Sequence, residues 1–350
     1  MIKVGVMFGG KSTEHDISVI SGTSVISNLD KKKYEIYPIY IDRNGEFYEY
    51  KINIKDIVPL KIDDEITEIK KINNIFKYLE NIDIVFPVLH GLNGEDGSIQ
   101  GMLEIVGKKY VGCKILSSSL CMDKVYAKAL LRSSGIDVCK SMYVKKIDDR
   151  YIYIDEQFNR IIFDGSSLEK FISEYLNYPV FVKPSNSGSS VGVNKVNSKE
   201  ELINYLEESF IYDTKVLIEE AIVGREVECA ILGNNDNPIA SYVGEVLSAD
   251  DFYSYDSKYK NSKSLTIIPA DIDGEVIEEI RKIAVKAYQV LDCSGLSRVD
   301  FFIEKDTNRI ILNEINTMPG FTEISMYPKL MQNFGYDYSN LLDTLINYCL

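Results

Sequence analysis

Histidine is nearly missing from this 350-residue chain: there are two, too few to build a metal site from imidazoles. Positive charge is also in deficit, with 39 Lys and Arg against 53 Asp and Glu and a net charge of −14. That balance argues against a nucleic-acid partner, although a local basic site inside a cleft still suits a nucleotide. No stretch reaches the roughly 18 apolar residues that a membrane span needs. The start, MIKVGVMFGG, lacks the long apolar core and cleavage site of a signal peptide and reads as a strand followed by a glycine turn. The six cysteines (Cys113, Cys121, Cys139, Cys229, Cys293 and Cys349) form no C-x-x-C pair, so reduced, buried thiols in a cytosolic protein are expected. No internal repeat or low-complexity segment occurs, and the length predicts two or three domains.

What is present is a succession of strands and helices. IKVGVMF is a near-continuous apolar run, the pattern of a strand buried on both faces. EHDISVISGTSVISNL follows as a helix, then YEIYPIYI and IDIVFPVLHG as strands. Strands alternating with helices predict an open parallel sheet for about the first 120 residues. In such sheets ligands sit at the carboxyl ends of the strands, where Gly9-Gly10-Lys11-Ser12 and His90-Gly91 fall. A second domain begins near Asp123, an N-cap for the helix DKVYAKALLRSSG, with Gly135 as its C′ residue. PVFVKP and VNKV are strands around the loop SNSGSSVG, and SKEELINYLEESF is a helix opening on the capping-box pair Ser198 and Glu201. KVLIEEAI and VECAILG are further strands. In the last unit Ile277, Ile280, Ala284, Ala287 and Leu291 recur at helical spacing. These signals divide the chain into 1–121, 122–223 and 224–350. The polar, tyrosine-rich stretch 248–264 reads as a loop of a length that is usually functional or disordered.

The stretch that organises the rest is GLSRVDFFIEKDTNRIILNEINTMPGFTEIS, residues 295–325. VDFFIE and RIILNEI are strands and Asp306-Thr307-Asn308 is the turn, with Asn308 in the left-handed conformation that Asn tolerates. This register sets Asp300 opposite Glu314 and Arg298 opposite Asn316, all on one face. Opposed carboxylates repel unless a cation neutralises them, and Mg²⁺ takes one or two carboxylates together with substrate phosphates. A merely solvated polar face is disfavoured, because Phe302 and Leu312 fall on the same faces.

Two segments compete for a phosphate. Residues 5–12, GVMFGGKS, satisfy G-x-x-x-x-G-K-[ST], but much of the match lies inside the strand, so a tight strand–helix turn is the better reading. Lys183, followed by PSNSGSSVG, ends a strand and leads into a loop dense in backbone N–H groups and hydroxyls, which suits a triphosphate. Lys124 sits at a helix start, where the dipole disfavours a cation unless an anion is near. In IEEAIVGRE, residues 218–226, backbone groups suit an adenine edge and a carboxylate suits ribose hydroxyls.

Taken together and in order, GGKSTEH, FPVLHGLNGEDGSIQG, CMDK, VKPSNSGSSVG, SRVDFF and NEINTMPGFTEIS resemble the D-alanine–D-alanine ligases of the ATP-grasp superfamily. The resemblance implies an α/β architecture: an ATP-grasp fold of two α+β subdomains gripping ATP, preceded by the parallel-sheet domain. It implies ATP and two Mg²⁺ (or Mn²⁺) as cofactors, D-alanine as substrate, a homodimer, a cytoplasmic location, and no nucleic-acid or membrane partner. The reaction would activate one D-alanine as its acylphosphate, which the amine of a second attacks. Carried over by motif, Glu14 would bind the first ammonium and form a set with Ser189 and Tyr259. Lys124, Lys183 and Ser190 would hold phosphates, Glu219 and Ala221 the adenine, and Glu226 the ribose. Asp300, Glu314 and Asn316 would bind the metals. Arg298 and the N–H of Gly320 would stabilise the oxyanion. His90 would lie near the first substrate, and Lys258 and Ser325 would hold the second carboxylate. The stretch 252–260 would be the closing lid. Tyr259 and the apolar Met326 favour D-alanine as second substrate, and the alternative is a D-alanine–D-serine ligase.

Overall fold

The computed structural model describes residues 1–54, 57–62, 64–155, 159–247 and 265–350. Lys258, Tyr259 and the whole expected lid lie outside them. Three sheets carry the described chain. The first contains β1 (Ile2–Gly9), β2 (Tyr34–Ile41), β3 (Phe47–Tyr50), β4 (Ile69–Lys71), β5 (Ile84–Val88) and β6 (Lys109–Tyr110), in the order β4-β3-β2-β1-β5-β6. β1, β2, β5 and β6 are parallel, as expected. β3 and β4 are antiparallel additions that the open parallel reading did not include. For β3 the cause is local: Asp42 Oδ1 accepts from the N–H groups of Asn44 and Glu46, which closes a hairpin too short for a crossover. β4 returns beside β3 after a longer connection, with the Lys51 N–H donating to Glu68 O at its mouth.

β1 is buried on both sides, with Val4, Val6, Met7 and Phe8 all at 0% exposure. Gly5 lies in the middle of this strand, where an added Cβ would stand 2.9 Å from Ile82. It is therefore sheet, not phosphate loop. The turn itself needs glycine: Gly9 has φ +93°, and a Cβ there would meet the carbonyl of Ile41 at 2.2 Å.

The second sheet joins β7 (Ser141–Ile147), β8 (Arg150–Ile154), β9 (Arg160–Phe163), β10 (Val180–Pro184), β11 (Asn194–Val196) and β12 (Lys215–Glu220) in the order β11-β10-β12-β7-β8-β9. All its pairs are antiparallel. The helices Gly165–Tyr175 and Lys199–Phe210 supply Leu168, Ile172, Leu202 and Leu206 to its core. The Ser198 hydroxyl makes no cap bond to the second helix, contrary to the capping-box reading. Glu201 instead reaches one residue further back and accepts from the N–H of Asn197 at 3.0 Å.

The third sheet, antiparallel throughout, holds β13 (Gly224–Gly233), β14 (Ile239–Leu247), β15 (Leu265–Ile267), β16 (Gly295–Glu304) and β17 (Ile310–Asn316) in the order β15-β14-β13-β16-β17. The helix Gly274–Val290 backs it through Ile280, Ala284 and Ala287, all fully buried, with Leu291 just beyond. The β16–β17 hairpin has the expected pairs Asp300↔Glu314 and Arg298↔Asn316. Nearer the turn the expected register fails: Phe302 faces Ile311 and Phe301 faces Leu312. The connection is one residue longer than a three-residue turn, since Glu304 N–H donates to Arg309 O across it. A bulge between Asp300 and Phe301 then restores the register at the charged end. Asn308 does adopt φ +57°.

Candidate functional site

Alternation along β16 puts Val299 and Phe301 into the core and leaves Arg298 and Asp300 half-buried on the opposite face. The ladder then extends this face over three strands. Glu228 pairs with Asp300 and Asp300 with Glu314, so three carboxylates stand in one row. Arg298 neutralises much of it. Its guanidinium donates in a fork to Asp300, Nε to Oδ1 and Nη2 to Oδ2, both at 2.7 Å, and its Nε is 2.9 Å from Glu228. Asn316 Nδ2 donates to Asp300 Oδ2 at 2.9 Å. Lys124 meets the far end of the row, with Nζ 3.5 Å from Glu314, while donating to the carbonyl of Ser187 at 2.7 Å.

The phosphate-loop candidate is tied to the helix Lys124–Ser133. Asp123 caps that helix through the N–H groups of Val125 and Tyr126, accepts from the Ser185 hydroxyl at 2.7 Å and pairs with Lys215. The loop tip carries Ser189 and Ser190 at φ +49° and +60°, two consecutive left-handed residues that are not glycine. Ser189 donates to the carboxylate of Glu14 across the cleft. Gly188 and Gly91 both crowd that carboxylate, since a Cβ at either would come within 2.7 and 2.3 Å of Glu14 Oε2.

A second polar network ties the first sheet to the loop after β17. His90 Nδ1 donates to the carbonyl of Met318 at 2.9 Å, and its Nε2 accepts from Ser21 at 2.9 Å. Ser21 in turn accepts from the N–H of Phe321 at 3.1 Å. Glu95 accepts from the N–H groups of Gly91 and Met318 at 2.8 and 2.9 Å. Burial, then the charge of Glu14, pushes Glu95 well above the usual carboxylate range. Burial pushes His90 down to about 4. Beyond Gly320, Ser325 Oγ accepts from the N–H of Thr322 at 3.0 Å and lies 2.7 Å from the Thr322 hydroxyl.

Keeping His90 neutral makes stability depend on pH. The unfolded chain protonates this residue near 6.5 and the folded chain does not. Its contribution is therefore complete above pH 6.5 and lost as pH falls toward 4, about 3 kcal/mol in all. Glu95 acts in the opposite sense, because its folded carboxyl keeps a proton that the unfolded chain releases above about 4.5. The comparison of wild type with His90→Asn isolates the histidine. Thermal melts at pH 7 and pH 5 should show a smaller acid loss in the variant, and an equal loss would refute the assignment.

These groups surround a cleft of about 1100 Å³, open to solvent. Of the residues expected from sequence, Glu14, His90, Lys124, Ser189, Arg298, Glu314, Asn316, Gly320, Ser325 and Met326 line it. Asp300 is joined to them through Arg298 and Asn316. Lys183, Ser190, Glu219, Ala221 and Glu226 are not among the lining residues. Lys183 is instead held by Glu219, and that carboxylate overrides the effect of burial and raises the lysine above its ordinary value. Glu219 is held below its usual range by Lys128 and Lys183, again against burial.

Sequence reasoning missed Glu228, Glu95, Ser21 and Lys128. Glu228 had one signal, its position two residues after Glu226 on a strand that turns apolar from Cys229 onward. Glu95 and Ser21 had none beyond their motifs, because their partners lie 223 and 300 residues away.

Comparison with known proteins agrees with this geometry. Residues 3–113 match the family model described as D-ala D-ala ligase N-terminus, and residues 156–347 match D-ala D-ala ligase C-terminus. The chain is 46% identical to a D-alanine–D-alanine ligase of Caldicellulosiruptor bescii, covering 100% of this chain and 95% of the relative. Among solved structures, the VanG D-Ala:D-Ser ligase from Enterococcus faecalis superposes with a TM-score of 0.82 at 38% identity, over 100% of this chain and 99% of that one. The D-alanine–D-alanine ligase from Bacillus anthracis complexed with ATP gives 0.74 at 30% identity, over 100% and 97%.

Proposed function

The chain belongs to the D-alanine–D-alanine ligase family and is an ATP-dependent ligase of the ATP-grasp fold, and on that premise we propose how its cleft works. The reaction joins two D-alanine molecules for cell-wall precursor synthesis. A carboxylate oxygen of the first attacks the γ-phosphorus of ATP and ADP leaves. The amine nitrogen of the second then attacks the acyl carbon, phosphate leaves, and the nitrogen loses a proton. Both steps gather anions, so cations must supply most of the stabilisation. The observation that carries this reading is the three-carboxylate row with Arg298 and Lys124 set against it, facing Glu14 across one cleft.

Glu14, fixed by Ser189, receives the first ammonium, and Tyr259 completes that set. Arg298 and the Gly320 N–H receive the developing oxyanion. Lys124, Lys183 and Ser190 take the phosphates, Glu219 and Ala221 the adenine, and Glu226 the ribose. Ser325 and Lys258 hold the second carboxylate beside Met326. His90 uses both ring nitrogens on Met318 and Ser21, so it serves the first substrate by holding the loop that carries Gly320. The stretch 252–260 excludes water from the acylphosphate.

The donor set suits Mg²⁺. Among the described residues no group of three or more His, Cys, Asp or Glu side chains is arranged to hold a metal ion. Asp300, Glu314 and Asn316 offer two carboxylates and an amide, which matches a cation that completes its shell with phosphate oxygens and water. When bound, two Mg²⁺ or Mn²⁺ would neutralise phosphate charge there.

The three sheets fall within the divisions 1–121, 122–223 and 224–350, which supports the boundary at 223/224, while the helix Lys124–Ser133 packs Ala127 and Leu131 into the core of the third sheet. A homodimer is the assembly that the family resemblance implies, and analytical ultracentrifugation of the full chain tests it. A cytoplasmic location suits the dependence on ATP, and among the described residues no helix is long and apolar enough to cross a membrane.

The test is coupled ADP release with D-alanine and Mg²⁺, the product identified by mass. D-alanyl-D-alanine is expected, and no D-alanine-dependent ADP release would end the reading. A parallel assay adds D-serine at neutral pH, because one structural neighbour is a D-Ala:D-Ser ligase. Preferential D-serine incorporation would overturn the second-substrate assignment alone.

A further inference from the structure

The helix Lys124–Ser133 carries a second lysine one turn past Lys124. Residues four apart share a helix face, yet these two have different surroundings. Lys124 lines the cleft, whereas Lys128 is 2% exposed. Lys128 Nζ lies 2.8 Å from Oε1 of Glu219, which is itself 2% exposed. The other oxygen of Glu219 contacts Nζ of Lys183. Two ammonium groups therefore share one buried carboxylate, and one positive charge is in excess.

The excess matters for any anion that approaches Lys183. An isolated Lys183–Glu219 pair would be neutral. Drawing its lysine toward another anion would strip a buried carboxylate of its only counter-ion, a costly state. With Lys128 on the opposite oxygen, Glu219 stays compensated when Lys183 turns outward. We propose that Lys128 is a positioning residue for phosphate binding: it holds Glu219 and its charge, and so keeps Lys183 available to the phosphates of ATP. This rests on the assignment of Lys183 to those phosphates. Lys128 touches no substrate and acts through Glu219.

Calorimetric titration of the full-length protein with ATP, and in parallel with adenosine, tests the idea. Lys128→Met should weaken ATP by about tenfold or more, the scale of losing one close buried charge, and leave adenosine within about twofold. Lys128→Arg should restore ATP affinity, because the charge returns. The double variant Lys128→Met/Glu219→Gln removes both charges and restores the excess on Lys183; because Glu219 also meets the adenine, its ATP affinity is read relative to its own adenosine affinity, and that ratio should favour ATP more than in Lys128→Met. It leaves the Lys183 ammonium without its buried carboxylate, so melting curves accompany it, and Lys128→Gln, which keeps a polar group against Glu219 without the charge, replaces Lys128→Met where that variant fails to fold. Equal weakening of ATP and adenosine would mean that Lys128 only packs the site, and would overturn the proposal. So would an unchanged ATP affinity, or a double variant whose ratio is as low as that of Lys183→Ala. The Lys183→Ala control separates the two levels. If it leaves ATP binding intact, the phosphate assignment itself fails. If it weakens ATP while Lys128→Met does not, only the role of Lys128 falls.

Discussion

Replacing Arg298 by alanine should lower kcat by about 10²–10³-fold, the usual loss for one oxyanion donor, while the ATP dissociation constant stays within a few-fold of wild type. The geometry explains both halves. Arg298 is 16% exposed in its side chain and locked by Asp300 on one side and Glu228 on the other, so its guanidinium is aimed before substrate arrives. A pre-aimed donor spends no reorganisation energy as charge develops on the acyl oxygen. The nucleotide cations Lys124 and Lys183 sit on other elements and do not depend on it. Arg298→Lys should recover only part of the rate, because an ammonium cannot reproduce the fork on Asp300. Removing the arginine also leaves Glu228 and Asp300 facing each other across the ladder, and breaking such a pair costs up to about 3–5 kcal/mol. Melting curves must therefore accompany the kinetics. A folded Arg298→Ala enzyme with near-normal kcat would remove the oxyanion role from this residue.

The hairpin that carries Arg298 shows what could be read from sequence and what could not. The period-two alternation of Arg298 and Asp300 with buried Val299 and Phe301 is a local signal and held in the fold. The turn-proximal register did not, because turn length is decided by one hydrogen bond, Glu304 to Arg309, that no residue type announces. An incorrect turn and an unseen bulge cancelled, which is why the charged pairs were still right. Glu228 is a different case. It neighbours Asp300 only because β13 docks beside β16 from 72 positions away in the chain. Nothing within VECAILG says that the strand will lie there. Lys128 was hidden for the same reason: its helix looks amphipathic with a cationic face, and only the tertiary contact with Glu219 turns a surface lysine into a buried one. Chemistry carried by one contiguous motif was legible from the residues, whereas chemistry assembled across sheets was legible only where the family resemblance supplied it, as for Glu14 with Ser189.

Glu314→Gln should be the second severe lesion, and one of a distinguishable kind. Of the three carboxylates in the row, Asp300 and Glu228 are both engaged by the Arg298 guanidinium, and of the two that line the cleft, Glu228 and Glu314, only Glu314 faces the nucleotide cation Lys124, at 3.5 Å. It is therefore the acid best placed to share a divalent cation with ATP. A metal stabilises transferring phosphoryl charge by several kcal/mol, and each 1.36 kcal/mol is a factor of ten in rate. A kcat loss of about 10²–10³-fold at ordinary Mg²⁺ follows from weakening that interaction. The half-saturating Mg²⁺ concentration should rise as well, by about tenfold or more, and excess Mg²⁺ or Mn²⁺ should recover part of the rate. Arg298→Ala should show no such recovery, since no added cation replaces its fork. Without metal the Glu314→Gln protein should melt no lower than the wild type, because the mutation relieves repulsion with Asp300 directly across the ladder. A rate loss that is insensitive to Mg²⁺ and accompanied by a lower melting temperature would make Glu314 a structural partner of Lys124 and move the metal site elsewhere.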